Sequence, residues 1–179
     1  MRMNRTQVIE QLPGLRRYAR VLTGDTWAAD DLVQDTLERA CSKWRLWRSG
    51  SDLRAWLFTL MHNLYLNQRR ALPTLQRLEI EEVQDSLEGH GASADEALDL
   101  ERCLQRLPAD QRAVLLLVTL EDLSYEETAR VLGIPLGTVM SRLSRARSRL
   151  RVLMDQAATP ASAEPQPAPT ATPLLRRLQ

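Results

Sequence analysis

Five residues in one short stretch have the types and the spacing to grip a polyanion. Thr138, Ser141, Arg142, Arg145 and Arg149 lie within LGTVMSRLSRARSRL. At about 100° per residue they cluster on one arc of a helix, while Val139, Leu143, Ala146 and Leu150 make a narrow apolar stripe on another. Arginine forks match phosphate oxygens and guanine edges, and small hydroxyls allow close approach. Residues 137–153 hold five arginines and no acid, whereas residues 79–101 hold nine acids and no Lys or Arg. The chain of 179 residues has a formal net charge of only +1, so it is the distribution of charge that points to a polyanion-binding surface. A solvated arginine-rich face would explain the charge equally well, but not the residues that precede it.

Those residues form a helix-turn-helix frame. Ser124 and Glu127 have the spacing of a capping box, which starts a helix. Gly133 can take the left-handed conformation that ends one, and Pro135 blocks its continuation. Ala129, Gly133 and Val139 then supply a small residue at the helix crossing, a glycine in the turn and an apolar residue that packs the second helix back. Residues 108–120, PADQRAVLLLVTL, are apolar enough to be the buried support.

A second set of candidates lies in the first half of the chain. In LRAWLFTLMHNLYLNQRR (53–70), Leu53, Trp56, Leu57, Leu60 and Leu64 have core spacing. Phe58, His62, Tyr65 and Arg69 follow at i, i+4, i+7 and i+11 on a different face. Aromatic rings interleaved with cations suit stacking on single-stranded bases; the same spacing also suits a second packing face. The loop 45–52, RLWRSGSD, carries Arg45, Trp47 and Arg48, which could trap an extruded base or merely connect two helices. In AADDLVQDTLERACSKW (28–44), Val33, Leu37, Ala40, Cys41 and Trp44 make the expected inward stripe. Leu32 falls outside it with Asp31, Asp35 and Arg39, an apolar residue ringed by charge.

Strand signals are nearly absent, and helix periodicity covers most of 5–70 and 94–154. The expected architecture is all-α: two small helical domains, 5–70 and 95–154, joined by a flexible acidic linker, 71–94. A Pro/Ala-rich tail, 155–179, is expected to be disordered. The two cysteines, Cys41 and Cys103, lie in helical patterns without a second Cys or a His at ligand spacing. No nucleophile–base pair, Gly-rich phosphate loop or metal cluster is present in the pattern, so no enzymatic activity, cofactor or metal is expected. The first residues, MRMNRTQVIEQLPG, lack an apolar targeting segment, and no run approaches the ~18 apolar residues of a membrane span. A cytoplasmic protein without membrane insertion is expected.

ADDLVQDTLERACSKW followed by WLFTLMHNLYLNQRR resembles region 2 of bacterial sigma factors, and LPADQRAVLLLVTLEDLSYEETARVLGIPLGTVMSRLSRAR resembles region 4. Both in this order, over about residues 10–152, resemble the extracytoplasmic-function (ECF, group 4) type of the sigma-70 family. The resemblance implies docking on core RNA polymerase, at the clamp helices of its largest subunit, through Asp31, Leu32, Gln34, Asp35 and Arg39. It implies capture of the −10 element of promoter DNA by the 45–52 loop (Arg45, Trp47, Arg48) and Asn63, to which the aromatic stripe adds Tyr65 and Arg69. It implies reading of the −35 element by Thr138, Ser141, Arg142 and Arg145, to which the arginine arc adds Arg149. Met140 stands where many relatives carry a basic residue, so one contact there differs. An anti-sigma factor is a further implied partner. A linker of roughly 25 residues extends to about 80 Å, comparable to the span between promoter elements. Two other readings remain: a stand-alone helix-turn-helix regulator, and a sigma-like mimic that sequesters an anti-sigma factor.

Overall fold

The computed structural model describes residues 5–47, 52–71 and 96–158. Among these residues there are seven α-helices: α1 (Arg5–Thr23), α2 (Thr26–Lys43), α3 (Leu53–Ala71), α4 (Glu96–Gln105), α5 (Ala109–Thr119), α6 (Tyr125–Leu132) and α7 (Leu136–Ala158). A single 3₁₀ turn, Trp44–Leu46, follows α2. The fold is all-α, with α1–α3 and α4–α7 as its two helical groups. The expected acidic linker, apart from Ala71 at the end of α3, and the expected tail beyond Ala158 lie outside the described residues, while α7 itself runs past residue 154 to Ala158.

Local signals set the helix ends. Asp25 caps α2 by accepting from the Ala28 amide at 2.7 Å, and Asp52 accepts from the amides of Arg54 and Ala55 at the start of α3. Ser124 and Glu127 form a reciprocal capping box on α6. The Ser124 amide donates to Glu127 at 2.8 Å, which holds that carboxyl below the usual carboxylate range. Gly133 closes α6 at φ +64°, a conformation costly for any side chain.

Two cores result. The first joins Leu15, Tyr18, Leu22, Leu32, Leu57, Phe58 and Met61 of the first group to Ala113, Leu116, Leu117, Leu123 and Val131 of the second. The other core holds Cys103, Leu107, Val114, Leu115, Val139, Leu143, Ala146 and Leu153. α5 contributes to both, which is why its sequence is apolar nearly all round. The two groups therefore pack directly on one another, α3 against α6 and α1 against α4 and α5.

The helix faces differ from the expected stripes in two places. In α2 the buried residues are Ala29, Leu32, Val33, Thr36 and Ala40, while Cys41 is exposed. α2 packs against both α1 and α3, so its buried arc is wider than one stripe. Leu32 lies inside it, fully buried, and the expected exposed docking leucine is not on the surface. In α3 the buried residues are Leu57, Phe58, Met61, His62 and Tyr65, whereas Leu53, Trp56, Leu60 and Leu64 are half-buried. The aromatic stripe is thus a packing face, and Tyr65 is covered and cannot stack on bases in this arrangement.

Polar groups stitch the interface between the helical groups. Glu121, in the turn before α6, is fully buried and pairs with Arg54 of α3 at 2.8 Å and with Arg17 of α1 at 3.3 Å. Gly14 lets α1 approach: a Cβ there would stand 2.6 Å from the Glu121 carboxylate. The Gln105 side chain donates to the Val21 carbonyl at 2.7 Å. The buried Arg112 guanidinium donates to the Gln105 carbonyl at 3.0 Å, to the Gln105 side chain and to Tyr65.

Candidate functional site

The arginine arc of α7 is positioned from beneath. Val139, Leu143 and Ala146 are buried on α7's inner face, so the residues on the arc project away from that core. Arg145 and Arg149 are exposed, while Thr138, Ser141 and Arg142 are half-buried. Ser141 donates to the Thr138 carbonyl at 3.1 Å, and Arg145 donates to Ser141 at 3.3 Å. Arg142 is not on open surface: its Nε lies 3.1 Å from Asp110 at the start of α5. The sequence arc thus splits into an outer pair of arginines and an inner one already holding a carboxylate. The Asp110 partner escapes a reading of α7 alone, because it comes from a different helix, α5.

Near Arg142 lies His62. The Tyr18 hydroxyl is 3.1 Å from His62 Nδ1. Burial, and then the positive charge of Arg142, bring the imidazole pKa down to about 4. Burial also raises the Tyr18 phenol above its ordinary range. The neutral phenol and the neutral imidazole therefore share this hydrogen bond, and His62 is a satisfied core group.

The residues expected at the −10 element are dispersed. Arg45 and Asn63 are exposed, Arg69 is half-buried with its guanidinium 5.9 Å from the Tyr65 ring, and Arg48 lies outside the described residues. Trp47 is half-buried and stacks on Trp44 with ring centroids 4.9 Å apart. Trp56 meets Trp44 edge-on at 6.1 Å. The indole N–H groups of Trp44 and Trp47 are buried and have no hydrogen-bond partner among the described residues.

On α2, Asp31, Gln34, Asp35 and Arg39 are all exposed. Gln34 donates to Glu38 at 3.1 Å, and Gln68 of α3 donates to Asp35 at 3.0 Å. With Leu32 inside, the large apolar side chain on this face is Trp27, 82% exposed. Its signal in the sequence is its place four residues before Asp31, just ahead of the segment whose periodicity marks the helix.

Among the described residues no helix is long and apolar enough to cross a membrane, and no cluster of three His, Cys, Asp or Glu side chains is placed to hold a metal. Two family models match: the Sigma2 domain of PhyR over residues 8–62 and Sigma-70, region 4 over residues 97–150. The ECF RNA polymerase sigma factor EcfG of Rhodopseudomonas palustris is 38% identical over 156 residues, 84% of this chain and 84% of that protein. The chain belongs to the ECF sigma factors of the sigma-70 family.

The ECF sigma factor SigM of Mycobacterium tuberculosis is 34% identical over 143 residues, 78% of this chain and 71% of that protein. The sigma factor's fold is similar to that of RpoE in its complex with the anti-sigma factor NepR from Bartonella quintana. The TM-score is 0.68 with 36% identity, covering 84% of this chain and 95% of that one. It also matches CnrH in complex with the cytosolic domain of CnrY, with a TM-score of 0.63, 27% identity, and 86% and 88% of the two chains covered.

Proposed function

We propose that this ECF sigma factor binds core RNA polymerase through the polar face of α2, reads the −35 element with α7 and captures unpaired −10 bases beside the 45–52 loop. The observation that carries the reading is the outward pair Arg145 and Arg149 on a capped helix-turn-helix, in a chain whose two matched regions follow the order of a sigma factor. Asp31, Gln34, Asp35 and Arg39 form the polymerase face; Leu32 drops out of it. Thr138, Ser141, Arg142, Arg145 and Arg149 form the −35 set. Arg45, Trp47, Arg48, Asn63 and Arg69 form the −10 set; Tyr65 drops out. Strand opening is driven by binding energy on unpaired bases, with no hydrolysis and no cofactor.

Promoter elements roughly 25 base pairs apart are separated by about 85 Å at 3.4 Å each. Helices α3 and α6 share a core, so both elements are read together only after the two helical groups part. The closed chain is then a resting form, and an anti-sigma factor is a natural partner for it: the similar RpoE and CnrH are each described in complex with another protein, NepR and CnrY.

A second reading has one observation in its favour. The model matching residues 8–62 is the Sigma2 domain of PhyR, and a PhyR is described as an anti-anti-sigma factor in complex with NepR. A mimic of that kind would bind the anti-sigma factor without initiating. Reconstitution with core polymerase followed by run-off transcription from genomic fragments separates the readings. Promoter-dependent transcripts support the sigma factor; polymerase binding without transcripts, or none at all, removes it.

A further inference from the structure

Four tryptophans are present, and three of them are accounted for within the fold. Trp44 meets the rings of both Trp47 and Trp56. Trp27 belongs to neither core and is 82% exposed. An indole left in water forgoes the burial of some 150–250 Å², which a docked partner would recover.

Its place is fixed and its surroundings are specific. Trp27 is the second residue of α2, and Asp25 ties that turn down by accepting from the Ala28 amide at 2.7 Å. Asp31, Gln34 and Glu38 follow at 4, 7 and 11 residues, within about 40° of the direction of Trp27 at 100° per residue. Asp30 and Asp35 flank them, and all five are exposed. The face is therefore a rigid helical strip with an indole at its N-terminal end and carboxylates along it, Arg39 being the cation at its edge. A surface complementary to it is cationic and has an apolar recess.

We propose that Trp27 is the apolar anchor by which α2 docks on core polymerase, inserting into a recess on a positively charged helical element of the largest subunit. The inference rests on the reading of α2 as the polymerase face, and it supplies what that face lost when Leu32 proved to be buried. Buried tryptophans dominate interface energetics where charged rims supply orientation, and here the carboxylates are the rim.

The test is a titration of the full-length chain against core polymerase at two salt concentrations, with Trp27→Ala, Trp27→Phe and Asp35→Asn. Thermal midpoints accompany each variant; at 82% exposure the Trp27 substitutions should leave them unchanged. Trp27→Ala is expected to raise the Kd tenfold or more with an unaltered salt dependence. Trp27→Phe should recover most of that loss, and Asp35→Asn should weaken binding while flattening the salt dependence. If Asp35→Asn weakens binding and Trp27→Ala does not, the anchor is wrong and the docking face stands. If the wild-type chain does not bind core polymerase, the docking face is wrong and the anchor falls with it. A Trp27→Ala effect confined to binding of an anti-sigma factor also overturns the proposal.

Discussion

Removing the charge of Glu121 should loosen the two helical groups from one another. Glu121 is 0% exposed and holds two arginines from the other group, Arg54 at 2.8 Å and Arg17 at 3.3 Å. Breaking a fully buried pair costs about 3–5 kcal/mol, because the surviving charge is stranded. Here the survivors are not stranded: the side chains of Arg54 and Arg17 are 35% and 53% exposed and can turn to water. Exposed pairs are worth about 0–1 kcal/mol. Glu121→Gln keeps the shape and loses the charge-assisted bonds, so its cost lies between those limits, at about 2 kcal/mol. That corresponds to roughly a thirtyfold shift toward the parted form.

Two measurements check the argument. A double-mutant cycle of Glu121→Gln with Arg54→Ala, read by chemical denaturation, should give a coupling of about 1 kcal/mol, with a smaller one for Arg17→Ala. Energy transfer between a dye on the exposed Cys41 and one on a cysteine placed at Ser148 of α7 should show a larger separated population in Glu121→Gln. A coupling below about 0.3 kcal/mol with Arg54, together with an unchanged distance distribution, would refute the reasoning.

Other perturbations have equally direct outcomes. Arg145→Ala should weaken binding of the holoenzyme to −35 DNA and reduce its salt slope by about one phosphate contact; an unchanged slope removes the phosphate role. His62 is held near a pKa of about 4 against an ordinary 6.5, so the unfolded chain takes up a proton before the folded one does. The resulting stability is complete above pH 6.5 and drains between 6.5 and 4, with a loss of roughly 2 kcal/mol by pH 5. His62→Gln should flatten the denaturation profile over that window, and an identical profile would show that other groups carry it. Gly133→Ala meets no atom within 4 Å of the new Cβ, so its cost is the positive φ alone, about 1 kcal/mol in a thermal melt; a neutral result would mean that the turn relaxes.

The sequence was most legible where the determining contacts are local. The capping box at Ser124 and Glu127, the left-handed Gly133 and the stripe of Val139, Leu143 and Ala146 each depend on residues within a few turns, and each is found in the structure. Faces that depend on the number of neighbours were not legible. Leu32 read as surface because one stripe per helix was assumed, and the Tyr65 stripe suited base stacking and packing alike; α2 and α3 each pack on more than one helix, which buries both residues. No local pattern marks Glu121, and only the approach of α1 at Gly14 and of α3 at Arg54 makes it an interior charge. Of the candidate site, the outward arginines and the polar strip of α2 were readable. The Asp110 partner of Arg142 was not, since helical periodicity carries no information about a second helix.

On the proposed function the closed packing also sets an order of events. Parting the helical groups uncovers apolar surface on both sides, including Leu116, Leu117, Leu123 and Val131 of the second group. Full burial of such side chains stabilises by about 1.5–3 kcal/mol each, and only the fraction shared across the interface is lost, so parting costs several kcal/mol. Non-specific attraction of two arginines to a phosphate backbone is too weak and too salt-sensitive to supply that alone. The polar face of α2 is different: Trp27, Asp31, Gln34, Asp35 and Arg39 are exposed while the groups are closed. Polymerase can therefore engage α2 before any parting. The −10 and −35 sets can be engaged together at promoter spacing only after parting, so DNA binding strengthens once polymerase has offset the cost of opening.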